Sequence, residues 1–209
     1  VIAIVADGCS SGVHSEVGAK IGLEIISSMI KRDLLNEFGQ KTLYYHPDRF
    51  LERVRQNSLA MIRTLVLSMG ESLPRTIEDY FLFTVVGAIM TEWGAVIFNQ
   101  GDGVVAIDGE WTQFGPFANN APPYFAYAIT GSSVFDTYPE FEHFSVKQVL
   151  ASDFRVLLIG TDGVVELKER VGHPIPGRQE TVGEIGQFWT NDLYFDNPDA
   201  VRRRLAVIN

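Results

Sequence analysis

Two Asp-Gly steps, each set directly after an apolar, strand-like run, constrain this chain more than any other feature. The first run is Val1-Ile2-Ala3-Ile4-Val5-Ala6, leading into Asp7-Gly8. The second is Val156-Leu157-Leu158-Ile159-Gly160-Thr161, leading into Asp162-Gly163. Neither run alternates apolar with polar residues, which is the pattern of a buried strand. Each therefore delivers a carboxylate to a strand end, where glycine lets the backbone turn sharply or approach a ligand. Two carboxylates at about 4 Å repel by about 4 kcal/mol at an effective dielectric near ~20. A divalent cation relieves that repulsion, so the pattern implies a metal site built from strand ends.

The stretch between the two steps divides into helices and then strands. Ser15 and Glu16 open a helix over roughly 15–31, with Val17, Ile21, Ile25 and Met29 at helical spacing. Gly18 and Gly22 lie four apart on one face and permit close packing on a sheet, at about 1 kcal/mol each in helix propensity. Residues 36–47, with Gly39 and Pro47, read as a loop. Asp48 is the expected N-cap of a second helix, with Leu51, Val54, Ser58, Ile62 and Leu65 as its stripe and an end near Gly70. Strands follow at 81–90, 95–100, 104–107 and 110–114, joined by Gly-bearing turns at Glu92-Trp93-Gly94, Gly101-Asp102-Gly103 and Asp108-Gly109. They predict an antiparallel meander. Residues 115–145 are rich in Pro, aromatic and Ser residues and carry no clear periodicity. A strand at 155–160 and helices near 163–170, 181–189 and 199–207 complete the chain. Two groups of helices around a mostly antiparallel sheet system predict an α+β layered domain.

Bulk properties narrow the function classes. At 209 residues the chain makes one large domain or at most two small ones. Its 46% apolar and 21% charged residues are ordinary for a globular protein with a sizeable core. The one cysteine, Cys9, excludes an internal disulfide and fits a reducing compartment. No apolar run reaches the ~18 residues of a membrane span. The chain opens straight into a strand, so no signal peptide and a cytoplasmic location are expected. A net charge of -9 disfavours nucleic acid as a partner, and Arg202-Arg203-Arg204 reads as a solvated helix face. His14, His46, His143 and His173 show no metal spacing. Trp93 and Trp111 read as packing residues, Asp108-Gly109 as a plain turn, and Cys9 as a small packed residue.

Asp7-Gly8, the strand bearing Thr84, Gly101-Asp102-Gly103 and Thr161-Asp162-Gly163 stand in a recognisable order. In that order and approximate spacing the chain resembles the metal-dependent protein phosphatases, the protein phosphatase 2C family, over nearly its whole length. The resemblance implies an α+β fold, a four-layer α-β-β-α sandwich with two central antiparallel sheets flanked by helix pairs. It implies hydrolysis of phosphoserine and phosphothreonine in proteins by attack of a metal-bound hydroxide, with two Mg²⁺ or Mn²⁺ ions and a weaker third. Asp7 would bridge two ions, the Gly8 carbonyl would bind one of them, and Asp162 would ligate the other. Asp7 and Asp162 would thus carry the catalysis. Asp102 would support the metal cluster or the weaker ion, and Thr84 would pack below the site. Asn119-Asn120-Ala121-Pro122-Pro123-Tyr124 reads as either a substrate-side loop or an ordered connection. The partner would be a phosphoprotein substrate, with neither nucleic acid nor membrane involved.

The chemistry agrees with that implication. Phosphate-monoester hydrolysis is among the slowest uncatalysed reactions. Two hard cations about 3.5–4 Å apart can generate a hydroxide and clamp phosphoryl oxygens. Carboxylate, carbonyl and water ligands suit Mg²⁺ or Mn²⁺ rather than Zn²⁺.

Three departures from the family pattern stand out. Cys9 occupies the place of a His that is a candidate general acid. An upstream segment with a phosphate-binding Arg is not seen. The family's closing Asp-Asn or Asp-Asp metal ligand leads into a last strand, whereas Asp196-Asn197 precedes Pro198 and an amphipathic helix and reads as a decoy. Residues 1–209 are accordingly expected to be a single catalytic domain trimmed at both ends. The alternative is a catalytically impaired binding or regulatory module on the same fold; a hydrolase of small phosphate esters is a further option.

Overall fold

Residues 1–197 and 199–208 are described here from a computed structural model. Among them the strands are β1 (Ile2–Gly8), β2 (Phe83–Met90), β3 (Gly94–Gln100), β4 (Gly103–Ile107), β5 (Glu110–Phe114), β6 (Ser145–Leu150) and β7 (Leu157–Gly160). They form two antiparallel sheets, one ordered β1-β2-β3-β6 and the other β5-β4-β7.

The strand period of two decides which layer each residue joins. Along β2, Phe83, Val85 and Ile89 enter a core shared with helices, while Val86 and Ala88 enter a core between the sheets. The helical partners of the first sheet are α1 (Ser15–Leu34), α2 (Glu37–Tyr45) and α3 (Pro47–Ser68). Ile26 and Ile30 of α1, with Phe50, Val54 and Ile62 of α3, are fully buried there. Each such side chain contributes about 1.5–3 kcal/mol relative to exposure. Between the sheets, Ala95 and Ile97 meet Val105, with Leu157 and Ile159 packed against them. Beyond the second sheet, Leu167 of the helix Gly163–Glu169 and Ile208 of the helix Ala200–Ile208 join Ile175, Val182 and Ile185. The order is helix, sheet, sheet, helix, as the resemblance implies.

The two glycines of α1 do what their spacing predicts. The absent side chain of Gly18 leaves room for the Tyr80 carbonyl, and that of Gly22 for the Phe83 ring. Both are needed for α1 to lie this close to the chain entering β2.

Several local expectations are corrected. Residues 36–47 are not a loop: Asn36 Oδ1 accepts from the Gly39 N–H at 2.7 Å and starts α2, and Leu43 is buried under it. The cap of α3 is His46, with Pro47 opening the first turn and Asp48 inside it. The meander breaks after β3, because β3 pairs with β2 and β6 while β4 pairs with β5 and β7. Gly101-Asp102-Gly103 is therefore a crossover between sheets and not a hairpin turn. Strand β6 was not expected; it covers β3 with the mixed polar sequence of an edge strand. Within 181–189 the helix is only Gln187–Thr190.

Arg202 and Arg203 reach Asp199 from the exposed face of the last helix, as a solvated face requires, whereas Arg204 is mostly buried, pairing with Glu180 at 2.9 Å and donating to the Thr181 and Val182 carbonyls. Asn197 Oδ1 accepts from the Asp199 N–H at 3.0 Å, a turn contact ahead of that helix. Among the described residues, no helix is long and apolar enough to cross a membrane.

Candidate functional site

Strand register brings the predicted acids to one end of both sheets. Asp7 faces Thr84 across the β1–β2 pair, and Val85 faces Gln100 across β2–β3. Gln100 is the last residue before the Gly101-Asp102-Gly103 crossover. Val104, just past it, faces Gly160, and Asp162 follows two residues later. A cavity of about 110 Å³ opens at this corner, lined by Asp7, Gly8, Cys9, Ser10, Thr84, Asp102, Asn120, Pro122, Tyr124 and Asp162. The four residues predicted to hold metal, Asp7, Gly8, Asp102 and Asp162, all line it. Thr84, expected below the site, is part of its wall.

Glycines make the corner tight. A Cβ on Gly8 would lie 2.6 Å from the Ser15 carbonyl carbon and 2.9 Å from the Glu16 nitrogen, so only glycine lets α1 begin this close to β1. Ser15 Oγ then donates to the Cys9 carbonyl at 2.6 Å. Gly101 has φ +87°, and a Cβ there would lie 2.8 Å from Thr84 Cβ. The Thr84 side chain, on the neighbouring strand, lies beside the Asp102 carboxylate and acts to lower its pKa.

The carboxylates disturb one another. Asp7 is pushed from an ordinary 3.8 up to about 6, first by desolvation, then by the charge of Asp162 and a side-chain hydrogen bond with it, then by Asp102. The Gly8 N–H pulls in the opposite direction. Asp7 keeps much of its surface in contact with solvent, so neighbouring atoms crowd the carboxylate without sealing it off. Asp102 is also raised, by burial and then by Asp162, against hydrogen bonds from Thr84 and its own N–H. Two carboxyl groups in hydrogen-bond contact share a proton or need a cation between them.

The donor set fits a hard cation. Asp7 and Asp162 offer oxygens within reach of each other, and Gly8 lines the same cavity. Oxygen-only donors with room for water suit Mg²⁺ or Mn²⁺. Among the described residues no group of three or more His, Cys, Asp or Glu side chains closes around a single point. The acids thus form a two-carboxylate bracket, with Asp102 set back, and not a closed cage.

Cys9 is not simply a packed residue, for it lines the cavity. Its Sγ lies 3.0 Å from Ser11 Oγ. Burial pushes the thiol up, but hydrogen bonds from Ser11, from Tyr124 and from the N–H groups of Ser11 and Gly12 outweigh it, and the net shift is downward. Tyr124 is raised by burial and by its bond with Cys9. The histidines stay away from the cavity. His14 caps α1 and packs on Tyr80 at 4.8 Å, and His143 meets Glu52 at 2.9 Å.

Ser10, Asn120, Pro122 and Tyr124 complete the wall; the last three belong to the 119–124 stretch that reads as either a substrate-side loop or an ordered connection, and Ser10 was not assigned. The signal for the last three was Asn119-Asn120 ahead of two prolines. Both asparagines take positive φ, 56° and 52°, a conformation that Asn tolerates better than most residues. That marks a shaped loop but not where it docks.

Comparison with known proteins follows the same lines. The family model for protein phosphatase 2C matches residues 1–185. Serine/threonine phosphatase Stp1 from Staphylococcus aureus superposes with a TM-score of 0.50 at 16% identity, covering 82% of this chain and 67% of that one. The Mycobacterium tuberculosis serine/threonine phosphatase PstP/Ppp gives a TM-score of 0.50 at 13% identity, covering 99% and 81%. Both support the fold. Among curated proteins no sequence matches. With the family model spanning most of its length, and the acids of that family's motifs gathered at one corner of two sheets, this chain belongs to the protein phosphatase 2C family.

Proposed function

We propose that the chain is a metal-dependent phosphatase acting on phosphoserine and phosphothreonine in proteins. The observation that carries this reading is the meeting of Asp7 and Asp162, from different sheets, at a cavity that also includes Asp102. Asp7 and Asp162 would hold Mg²⁺ or Mn²⁺, with the Gly8 carbonyl as a further oxygen donor. Cations bound there supply the positive charge that neutralises phosphoryl oxygens and acidifies water. Asp102, beside Thr84 in the cavity wall, adds negative charge behind the pair and favours the loaded state. Asn120, Pro122 and Tyr124 form the far wall. A space of about 110 Å³ admits a small head group and leaves the rest of a substrate outside, as suits a phosphorylated side chain on a protein.

The test is hydrolysis of p-nitrophenyl phosphate with Mn²⁺, wild type against Asp7→Asn. The variant is expected to lose about two orders of magnitude or more, at 1.36 kcal/mol per factor of about ten, with an unchanged circular dichroism spectrum. Equal rates would refute the assignment.

Two observations favour a second reading, a catalytically impaired module that binds phosphoproteins. Cys9 stands where the family's fullest sites have a His, and the acids form an open bracket. A wild-type rate no higher than that of Asp7→Asn, together with retained phosphopeptide binding, would support that reading in place of the first.

A further inference from the structure

We propose that Asn120 is the substrate-binding residue of the far wall, its carboxamide N–H donating to a phosphoryl oxygen. This role depends on the phosphatase reading of the acidic corner and concerns the side of the substrate turned away from the carboxylates. The described residues lining that corner include three carboxylates and neither lysine nor arginine. Cations on the carboxylate side clamp part of a phosphoryl group, and its remaining oxygen needs a donor from elsewhere in the cavity. No ammonium or guanidinium lines the cavity to supply one, so a neutral group must.

Of the lining side chains only Asn120 carries N–H donors, two of them on a short stem. Among the hydroxyls, those of Thr84 and Tyr124 belong to buried residues. Ser10 is exposed, but it follows Asp7 in the same turn and so comes from the carboxylate side. Asn120 is also exposed and enters the cavity from a different part of the chain. With a cavity of only about 110 Å³, a guest held by Asp7 and Asp162 through cations also lies against this wall.

The loop that carries Asn120 is set in advance. Asn119 and Asn120 hold successive left-handed conformations, φ 56° and 52°, which non-glycine residues keep only where the surroundings enforce them and which recur at ligand clamps. The Asn120 N–H donates to the Phe117 carbonyl at 3.2 Å. Upstream, the Ala118 N–H donates to the Tyr138 hydroxyl at 3.3 Å, and Phe117 packs edge-on against Tyr138 and Phe141. Downstream, the Phe125 N–H donates to the Phe83 carbonyl of β2 at 3.0 Å, with the Phe125 ring fully buried. A loop tied at both ends places its amide without an ordering cost on binding.

The test is calorimetric titration of phenylphosphonate, whose carbon–phosphorus bond resists hydrolysis, into protein saturated with Mn²⁺. The variants are Asn120→Gly and Asn120→Asp, both of which accept a positive φ. If Asn120 only shapes the loop, both bind the phosphonate as the wild type does. As a donor, its loss in Asn120→Gly is expected to weaken the phosphonate about tenfold, the scale of one hydrogen bond to a charged group. Asn120→Asp is expected to be weaker still, because a carboxylate repels the phosphoryl oxygens, and Mn²⁺ affinity without phosphonate is expected to be the same in wild type and Asn120→Gly. Wild-type affinity for the phosphonate in either variant would overturn the role of Asn120 and leave the phosphatase reading standing, as would a wild type that binds Mn²⁺ but no phosphonate. A wild type that binds no Mn²⁺ would overturn both.

Discussion

Asp7 faces Asp162 within hydrogen-bond reach, and that contact has a thermodynamic consequence. Its folded pKa, about 6, lies above the ordinary 3.8. Below the lower value both folded and unfolded chains carry the proton, and Asp7 costs nothing. As pH rises from about 4 to about 6 the unfolded chain releases its proton first, so folding is progressively disfavoured. Because Asp7 remains partly solvated, screening holds the effect to about 1 kcal/mol or less. In EDTA, Asp7→Asn is expected to match the wild type in thermal unfolding midpoint near pH 4 and to exceed it at pH 7. Taking the difference between the two proteins cancels other titrating groups. A variant less stable than wild type at pH 7 would contradict the strained pair. The acids could be read from the sequence because each ends an apolar run beside glycine. Tyr124 and Asn120 lay in a stretch without periodicity, and only their docking on the first sheet brings them to the cavity.

At the scale of elements, long periodic segments were readable and short or edge ones were not. α1 and α3 announced themselves by spacing. α2 hid behind Gly39 and Pro47, two residues that usually break helices; its stability comes from the Asn36 cap and from Leu43 packed beneath it. β6 hid because only Val146 and Val149 of its six residues are partly buried, so its alternation is faint. Gly101-Asp102-Gly103 serves a hairpin and a crossover equally well by local rules, and the choice is made by which sheet the next strand can cover. Gly18 offers an element-scale test. Alanine gains about 1 kcal/mol in helix propensity, yet its methyl would overlap the Tyr80 carbonyl oxygen, which is backbone and cannot swing away. Overpacking of this kind costs about 1–3 kcal/mol. Gly18→Ala is therefore expected to lower the urea unfolding midpoint despite the better helix former. A raised midpoint would mean that α1 stands further from β2 than described.

For the whole molecule, the acidic corner is a joint between layers. Asp7 belongs to the first sheet, Asp162 follows the last strand of the second, and Asp102 lies on the crossover that connects them. A layered α+β domain was predictable from strand-like runs between two groups of helices, and the sandwich of two sheets only through the family resemblance. The joint was predictable only through the family motifs, because nothing local says that residues 7 and 162 meet. A cation shared by them would tie the two sheets and stabilise the folded state in proportion to its occupancy. The most direct measurement is calorimetric titration of Mn²⁺ into wild type and Asp162→Asn. Wild type is expected to bind, and the variant to lose about tenfold or more in affinity; identical isotherms, or no heat from the wild type, would show that the two sheets do not hold a cation between them.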